Sequence, residues 1–258
     1  MKKLFLLLAL PAAIISCSNS DDDSCNKLNQ INASGIITQT RAPINSDGSN
    51  LPLTTQSVYF VRTHDSATAD WTTVTGNQTV SVGNAGGVLS GTMSTDGTIT
   101  LSPSQFYHEN SSLNSYLTGY YPASNATYPS VTNPGKLQWT IDGKTDIMYT
   151  GIASGNKTGS ATPMAFTFNH QLSWLSFQIQ AAAGTGSEIA AIWGNVTSIS
   201  ILNLATTLTL NLPATPAFSG TGTINTFSAS DSAPAALAIP ANGSPAFFSQ
   251  AMVQPQAY

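Results

Sequence analysis

The sequence is poor in charge, in cysteine and in helical periodicity, and each shortage removes a class of protein. Its 258 residues include eight Lys or Arg and twelve Asp or Glu. Beyond Lys157 there is no further basic residue, and Glu188 and Asp231 are the only acidic ones. Phosphate backbones and anionic headgroups need clustered basic side chains, so nucleic acid is excluded as a partner. The only cysteines are Cys17 and Cys25, too few and too near the start for a disulfide framework or a cysteine metal site. His64, His108 and His170 show no metal-ligand spacing, and a lone histidine in an apolar alternation is normally structural. No metal or other cofactor is expected. Gly155, Asn156, Lys157 and Thr158 end like a phosphate loop, but the upstream glycine spacing and a following helix are missing. Ser154, between Gly151 and Gly155, does not fit the nucleophile elbow. No catalytic set emerges, and the chain is not expected to be an enzyme.

One hydrophobic run stands out. Leu4 to Ile15 follows Lys2 and Lys3 and precedes Ser16 and Cys17. It is too short to span a bilayer and has the layout of a cleaved signal over residues 1–16. Ile14, Ile15, Ser16 and Cys17 resemble the bacterial lipobox, which implies that Cys17 becomes the acylated first residue of a lipid-anchored protein. The alternative is an ordinary secretory signal with an incidental cysteine. Loss of Lys2 and Lys3 leaves six basic residues against twelve acidic ones, a net of about −6. Residues 17–34, with Asp21, Asp22 and Asp23 among Ser and Asn, read as a flexible acidic tether. Ser20 to Asp23 also resembles the surface-export signal of Bacteroides-group lipoproteins, which implies the outer leaflet of the outer membrane.

The remaining chain is rich in Thr, Ser, Val, Gly and Asn, with short apolar alternations broken by turn residues, the pattern of an all-β protein. Gly35 to Ile37 is the first apolar run. Val58 to Arg62 is a strand apolar on both faces for most of its length. Leu89 to Leu101, with Asp96 and Gly97 at its centre, predicts a two-residue hairpin. Phe166, Phe168, His170 and Leu172 alternate with polar residues, and Leu175, Phe177 and Ile179 resume that period. Val196 to Leu212 predicts two further strands, while Ala190 to Trp193 reads as a short helical or irregular turn. A composition shift between Gly151 and Pro163 sets a domain boundary, giving domains over 35–157 and 158–258.

Tyr116, Tyr120, Tyr121, Tyr128 and Trp139 crowd one stretch. Such rings serve either as core residues or as a surface that stacks on sugars; the core is the preferred reading, with Tyr120, Tyr121 and Trp139 as the candidate glycan contacts. Arg41, followed by Ala42 and Pro43, offers a site to a trypsin-like protease. Asp65, Ser66, Ala67 and Asp231, Ser232, Ala233 resemble an O-glycosylation motif of Bacteroides secreted proteins, making Ser66 and Ser232 candidate acceptors.

Taken in order, the lipobox, Thr40 to Ala42, the block Gly119, Tyr120, Tyr121, Pro122, then Asp146 to Tyr149, and finally Phe166, Phe168, His170, Leu172, Ser173, Leu175 and Phe177 resemble the fimbrillin family of pilus subunits. The likeness runs to about Leu212 and thins afterwards. It implies two transthyretin-like β-sandwich domains, export as a lipoprotein and assembly with other pilus subunits into a homo- or hetero-polymer. It also implies that an arginine-specific protease, cutting between Arg41 and Ala42, removes the first strand, Gly35 to Thr38, and that a neighbour's strand replaces it. The chain stops at Tyr258, where the family's second domain usually continues, so that domain is expected to be incomplete. The rival expectation is a monomeric surface lipoprotein that binds glycans, with a hydrolase a distant third.

Overall fold

Alternating apolar residues separated by Gly, Pro, Asn and Ser leave the chain few ways to satisfy its backbone except by pairing strands. The computed structural model describes residues 30–38, 55–74, 86–123, 126–127, 134–182, 185–202, 204–212, 217–221, 224–228, 237–240 and 244–255. The first strands are β1 (Ala33–Ile37), β2 (Gln56–Arg62), β3 (Gly87–Met93), β4 (Thr98–Ser102), β5 (Ser115–Tyr121), β6 (Ala126–Thr127) and β7 (Lys136–Thr140). They are followed by β8 (Met148–Gly155), β9 (Met164–His170) and β10 (Ser173–Ile179). A single described α-helix, α1 (Gly186–Trp193), precedes β11 (Asn195–Val196), β12 (Ser198–Leu202), β13 (Thr207–Asn211) and β14 (Ala217–Thr221). The chain ends with β15 (Ile224–Ser228), β16 (Leu237–Ala238) and β17 (Ala246–Val253). The all-β expectation holds.

Seven strands close into a barrel in the order β1-β4-β3-β2-β5-β8-β9. Every pairing in it is antiparallel except the one that closes it, where β1 runs parallel to β9 from Ala33 opposite Met164 to Ile37 opposite Phe168. Val58, Phe60, Leu89, Met93, Ile99, Leu117, Phe166 and Phe168 fill the interior, with Phe60 meeting Phe166 edge to face at 4.9 Å between ring centres. A second core forms on the other side of the barrel wall. There Val61, Tyr120 and Tyr149 pack with Leu137 and Trp139 of β7 and Leu208 and Leu210 of β13. These belong to a four-stranded sheet ordered β14-β13-β7-β6. Cores on both sides of β2 explain why its sequence is apolar on both faces.

The β3–β4 hairpin forms as expected, but its loop has three residues. Ser94 N–H bonds to Thr98 O at 2.9 Å and Gly97 N–H to Ser94 O at 3.0 Å, and Gly97 takes a φ of +86°. A turn closed by one residue in the left-handed region is the usual three-residue hairpin solution, and Asp96 caps it by accepting from Thr98 N–H at 2.9 Å. Two expected boundaries move. The fold begins before residue 35: Ile31 and Ala33 are buried, and Gln30 bridges to Phe106. The boundary at 157/158 falls between β8 and β9, which pair with each other and belong to one barrel. The loop between them changes composition, but the sheet continues across it. Conversely, β7, from the first half of the sequence, pairs with β13 of the second. The helical turn expected at Ala190 to Trp193 is the end of α1, where Ile192 and Trp193 stand exposed.

Candidate functional site

The part of the molecule with an unusual role in the architecture is the seat of β1. This strand joins β4 to β9, which are not otherwise neighbours, so the barrel is closed by the first of the described strands. Its hold on β4 is short, with two paired residues and a bond from Gly35 N–H to Gly97 O at 2.7 Å. Ala33 and Gly35 face inward, while Ile36 points out and is 62% exposed.

Glycine at position 35 has a steric cause. A Cβ there would lie 2.7 Å from Ile99 Cδ1, 3.1 Å from Met93 Sδ and 3.4 Å from Phe168 Cε2. The facing turn is equally tight, because a Cβ on Gly97 would come within 2.7 Å of Gly35 O.

The far end of β1 is clasped. Thr38 N–H donates to Phe168 O at 3.0 Å and Thr38 Oγ1 donates to the same carbonyl at 3.1 Å. His170 Nε2 lies 3.1 Å from Thr38 O, and His170 Nδ1 is paired with Asp146 Oδ2. Asp146 is buried and the His170 side chain nearly so. The hydrogen bond to Asp146 raises the pKa of His170 above its usual value against the opposing effect of burial, with the Asp146 charge and Thr38 O also favouring the cation. As imidazolium, His170 donates from both nitrogens, one to the carboxylate and one to the carbonyl just past the strand. Tyr121, beside this pair, has its pKa raised by burial first, then by the charge of Asp146 and by Tyr59.

A second buried charge network ends β2. Arg62 is fully buried; its Nη2 donates to both Asp65 oxygens at 2.9 and 3.0 Å, to Phe106 O at 2.9 Å and to Ser115 Oγ at 3.1 Å, and its Nη1 donates to Gln105 Oε1 at 2.7 Å. Ser115 Oγ donates in turn to Asp65 at 2.7 Å. Sequence reasoning missed this network; its signal was an arginine ending an otherwise apolar strand, with an aspartate three residues later.

The expected site residues divide sharply. Tyr120 and Trp139 are fully buried, their rings 5.9 Å apart within the second core, and Trp139 Nε1 donates to Pro122 O at 2.9 Å. They cannot stack on a sugar in this fold, which removes two of the three aromatics expected to bind glycans; Tyr121 is half-buried beside them. Ser66 sits in a short bridge to Asn114, its hydroxyl donating to Thr68 O at 2.5 Å, and its neighbour Asp65 is occupied by Arg62. Cys17, Arg41, Ala42, Tyr128 and Ser232 lie outside the described residues. His64 and His108 each accept a nearby backbone N–H through Nδ1, at 3.3 Å from Gly86 and 2.9 Å from Asn110. Among the described residues no group of three His, Cys, Asp or Glu side chains gathers as a metal site.

A family model described as fimbrillin-like matches residues 40–258. Two solved structures resemble the chain, provisionally described as cell adhesion proteins of Bacteroides uniformis and Bacteroides ovatus. The first is 17% identical, covers 88% of this chain and 75% of its own, and superposes with a TM-score of 0.45. The second is 14% identical, covers 88% of this chain and 78% of its own, with a TM-score of 0.44. No curated protein matches.

Proposed function

The chain belongs to the fimbrillin-like family, and on that premise we propose that it is a subunit of a cell-surface pilus that polymerises by exchanging β1 for a strand of another subunit. Family membership makes it a structural or adhesive protein rather than an enzyme. In this reading the chain is exported as a lipoprotein acylated at Cys17 and held at the outer membrane. An arginine-specific protease then cuts between Arg41 and Ala42, and β1 leaves with the anchor.

The observation that carries the proposal is the position of β1: the first of the described strands is the one that closes the barrel. Its removal leaves β4 and β9 with unpaired backbone groups along an apolar groove, a state that favours capture of an extended segment. The arginines support the reading too. The chain has two, Arg41 and Arg62, and Arg62 is fully buried in an ion pair, so a protease acting on the folded protein cannot reach it. Two sandwich-type domains remain our reading of the architecture, with strands rather than chain halves assigning residues to each. The glycan-binding alternative loses support from the burial of Tyr120 and Trp139.

The test is to treat the protein lacking residues 1–16 with an arginine-specific protease, sequence the new N-terminus and look for a ladder of stable oligomers. The expected result is an N-terminus at Ala42, with the ladder abolished by Arg41→Ala. An unchanged ladder in that variant overturns the processing step.

A further inference from the structure

The groove under β1 is tight where Gly35 sits, and we propose that it selects its incoming strand there. It accepts only glycine, or at most alanine, where Gly35 now sits, with a small residue two positions before and a branched apolar residue two positions after. This rests on the strand-replacement reading above and adds the chemistry of the partner: an extended, uncharged segment of another chain, lying parallel to β9 and antiparallel to β4.

The argument is steric. The two atoms nearest a Cβ at this register, Ile99 Cδ1 at 2.7 Å and Met93 Sδ at 3.1 Å, belong to flexible side chains that can rotate away from a single methyl. A branched side chain reaches further, toward the ring of Phe168, already 3.4 Å from that Cβ. That ring is fully buried and packs edge to face against Phe60, with centres 6.3 Å apart, so it cannot yield without opening the barrel core. Packed interiors resist such insertion, and forcing it weakens binding by roughly one to two orders of magnitude. Two residues earlier the native strand offers Ala33, 5% exposed, and two residues later Ile37, which packs on the barrel core. The groove floor contains Met93, Ile99, Phe166 and Phe168, so an inward-facing charge would be buried without a partner. The outward position of Ile36 imposes no such limit.

The test uses the protein lacking residues 1–16, cut at Arg41, freed of its excised segment by gel filtration in mild urea and returned to buffer. Biotinylated peptides spanning residues 30–40 are then offered to it. The native peptide and the Ile36→Thr peptide should be captured equally, the Gly35→Ala peptide within a few-fold of them, and the Gly35→Val peptide at least about tenfold more weakly. Protein carrying Phe168→Leu, which shortens the ring that blocks the branched side chain, should recover capture of the Gly35→Val peptide. Equal capture of Gly35→Val by the unaltered protein, or no recovery in Phe168→Leu, overturns the selectivity while leaving strand replacement standing. Failure to capture any peptide after verified cleavage overturns strand replacement itself, and the selectivity with it.

Discussion

β2 buries Val58, Phe60, Val61 and Arg62 completely, whereas β1, in the same barrel, buries Ala33 and Gly35 and leaves Ile36 largely in solvent. Both strands end beside an ionisable group, fully buried for β2 and partly buried for β1, and the groups differ in kind. Arg62 is permanently cationic and donates five hydrogen bonds from its two terminal nitrogens, to partners on three stretches of chain. His170, which clasps β1, carries its charge only below its own pKa. A full-sized apolar side chain contributes about 1.5–3 kcal/mol when buried; β2 has three of them, β1 little more than the methyl of Ala33 and part of Ile37. One strand is built into the barrel and the other is fastened to it.

The largest effect should come from the permanent side of this contrast. Arg62→Ala strands Asp65 without its partner and should cost about 3–5 kcal/mol in urea denaturation; a loss below 1 kcal/mol would mean that the network holds nothing. Next, Gly35→Val in the intact chain should destabilise by about 1–3 kcal/mol. The disturbance should be confined to β1 and visible as faster hydrogen exchange at residues 33–38, with β2 amides unchanged. Spread of the exchange to β2 would show the two strands to be one unit.

The third effect is set by pH. His170 has a raised pKa in the folded protein, so its stabilising contribution is complete below the unfolded value of about 6.5 and is lost as pH rises through the folded value. The urea midpoint should therefore fall over that interval, and the fall should be absent in His170→Gln. The same slope in both proteins would assign it to another group. The smallest effect belongs to Ile36→Thr, expected within about 0.5 kcal/mol of the native protein by the same denaturation; a larger loss would place Ile36 in a contact.

Much of this contrast was legible in the residues. The run Val58 to Arg62 read directly as a strand apolar on both faces, which the cores on its two sides explain, and the alternation from Phe166 to His170 gave β9 its inward face. The seat of β1 was less visible. A run of Ala, Ser, Gly and two Ile has no periodicity strong enough to fix its ends, and its partners lie at Ile99 and Met164 to Phe168, far along the chain. Pairing across such distances leaves no local signature. The clasp was hidden for the same reason, since His170 was judged as a lone histidine while Asp146 and Thr38 reach it only through the barrel. Composition misled at 157/158, because a turn rich in Gly, Ser and Asn looks alike whether it joins two domains or two neighbouring strands. The aromatic stretch could be read two ways until burial decided it for Tyr120 and Trp139.

The parallel register of β1 on β9 also bears on the order in which the barrel should assemble. β1 is the first of the described strands, yet its parallel neighbour lies some 130 residues later, with Ala33 opposite Met164. The ladder from β4 through β3, β2 and β5 to β8 needs only antiparallel pairings between strands nearer in sequence, and long-range pairing bears the greater loop-closure entropy. An open sheet should therefore assemble while the leading segment waits, with its apolar inner face uncovered until β9 arrives. In a crowded compartment that interval is when the chain is most exposed to pairing with the wrong neighbour.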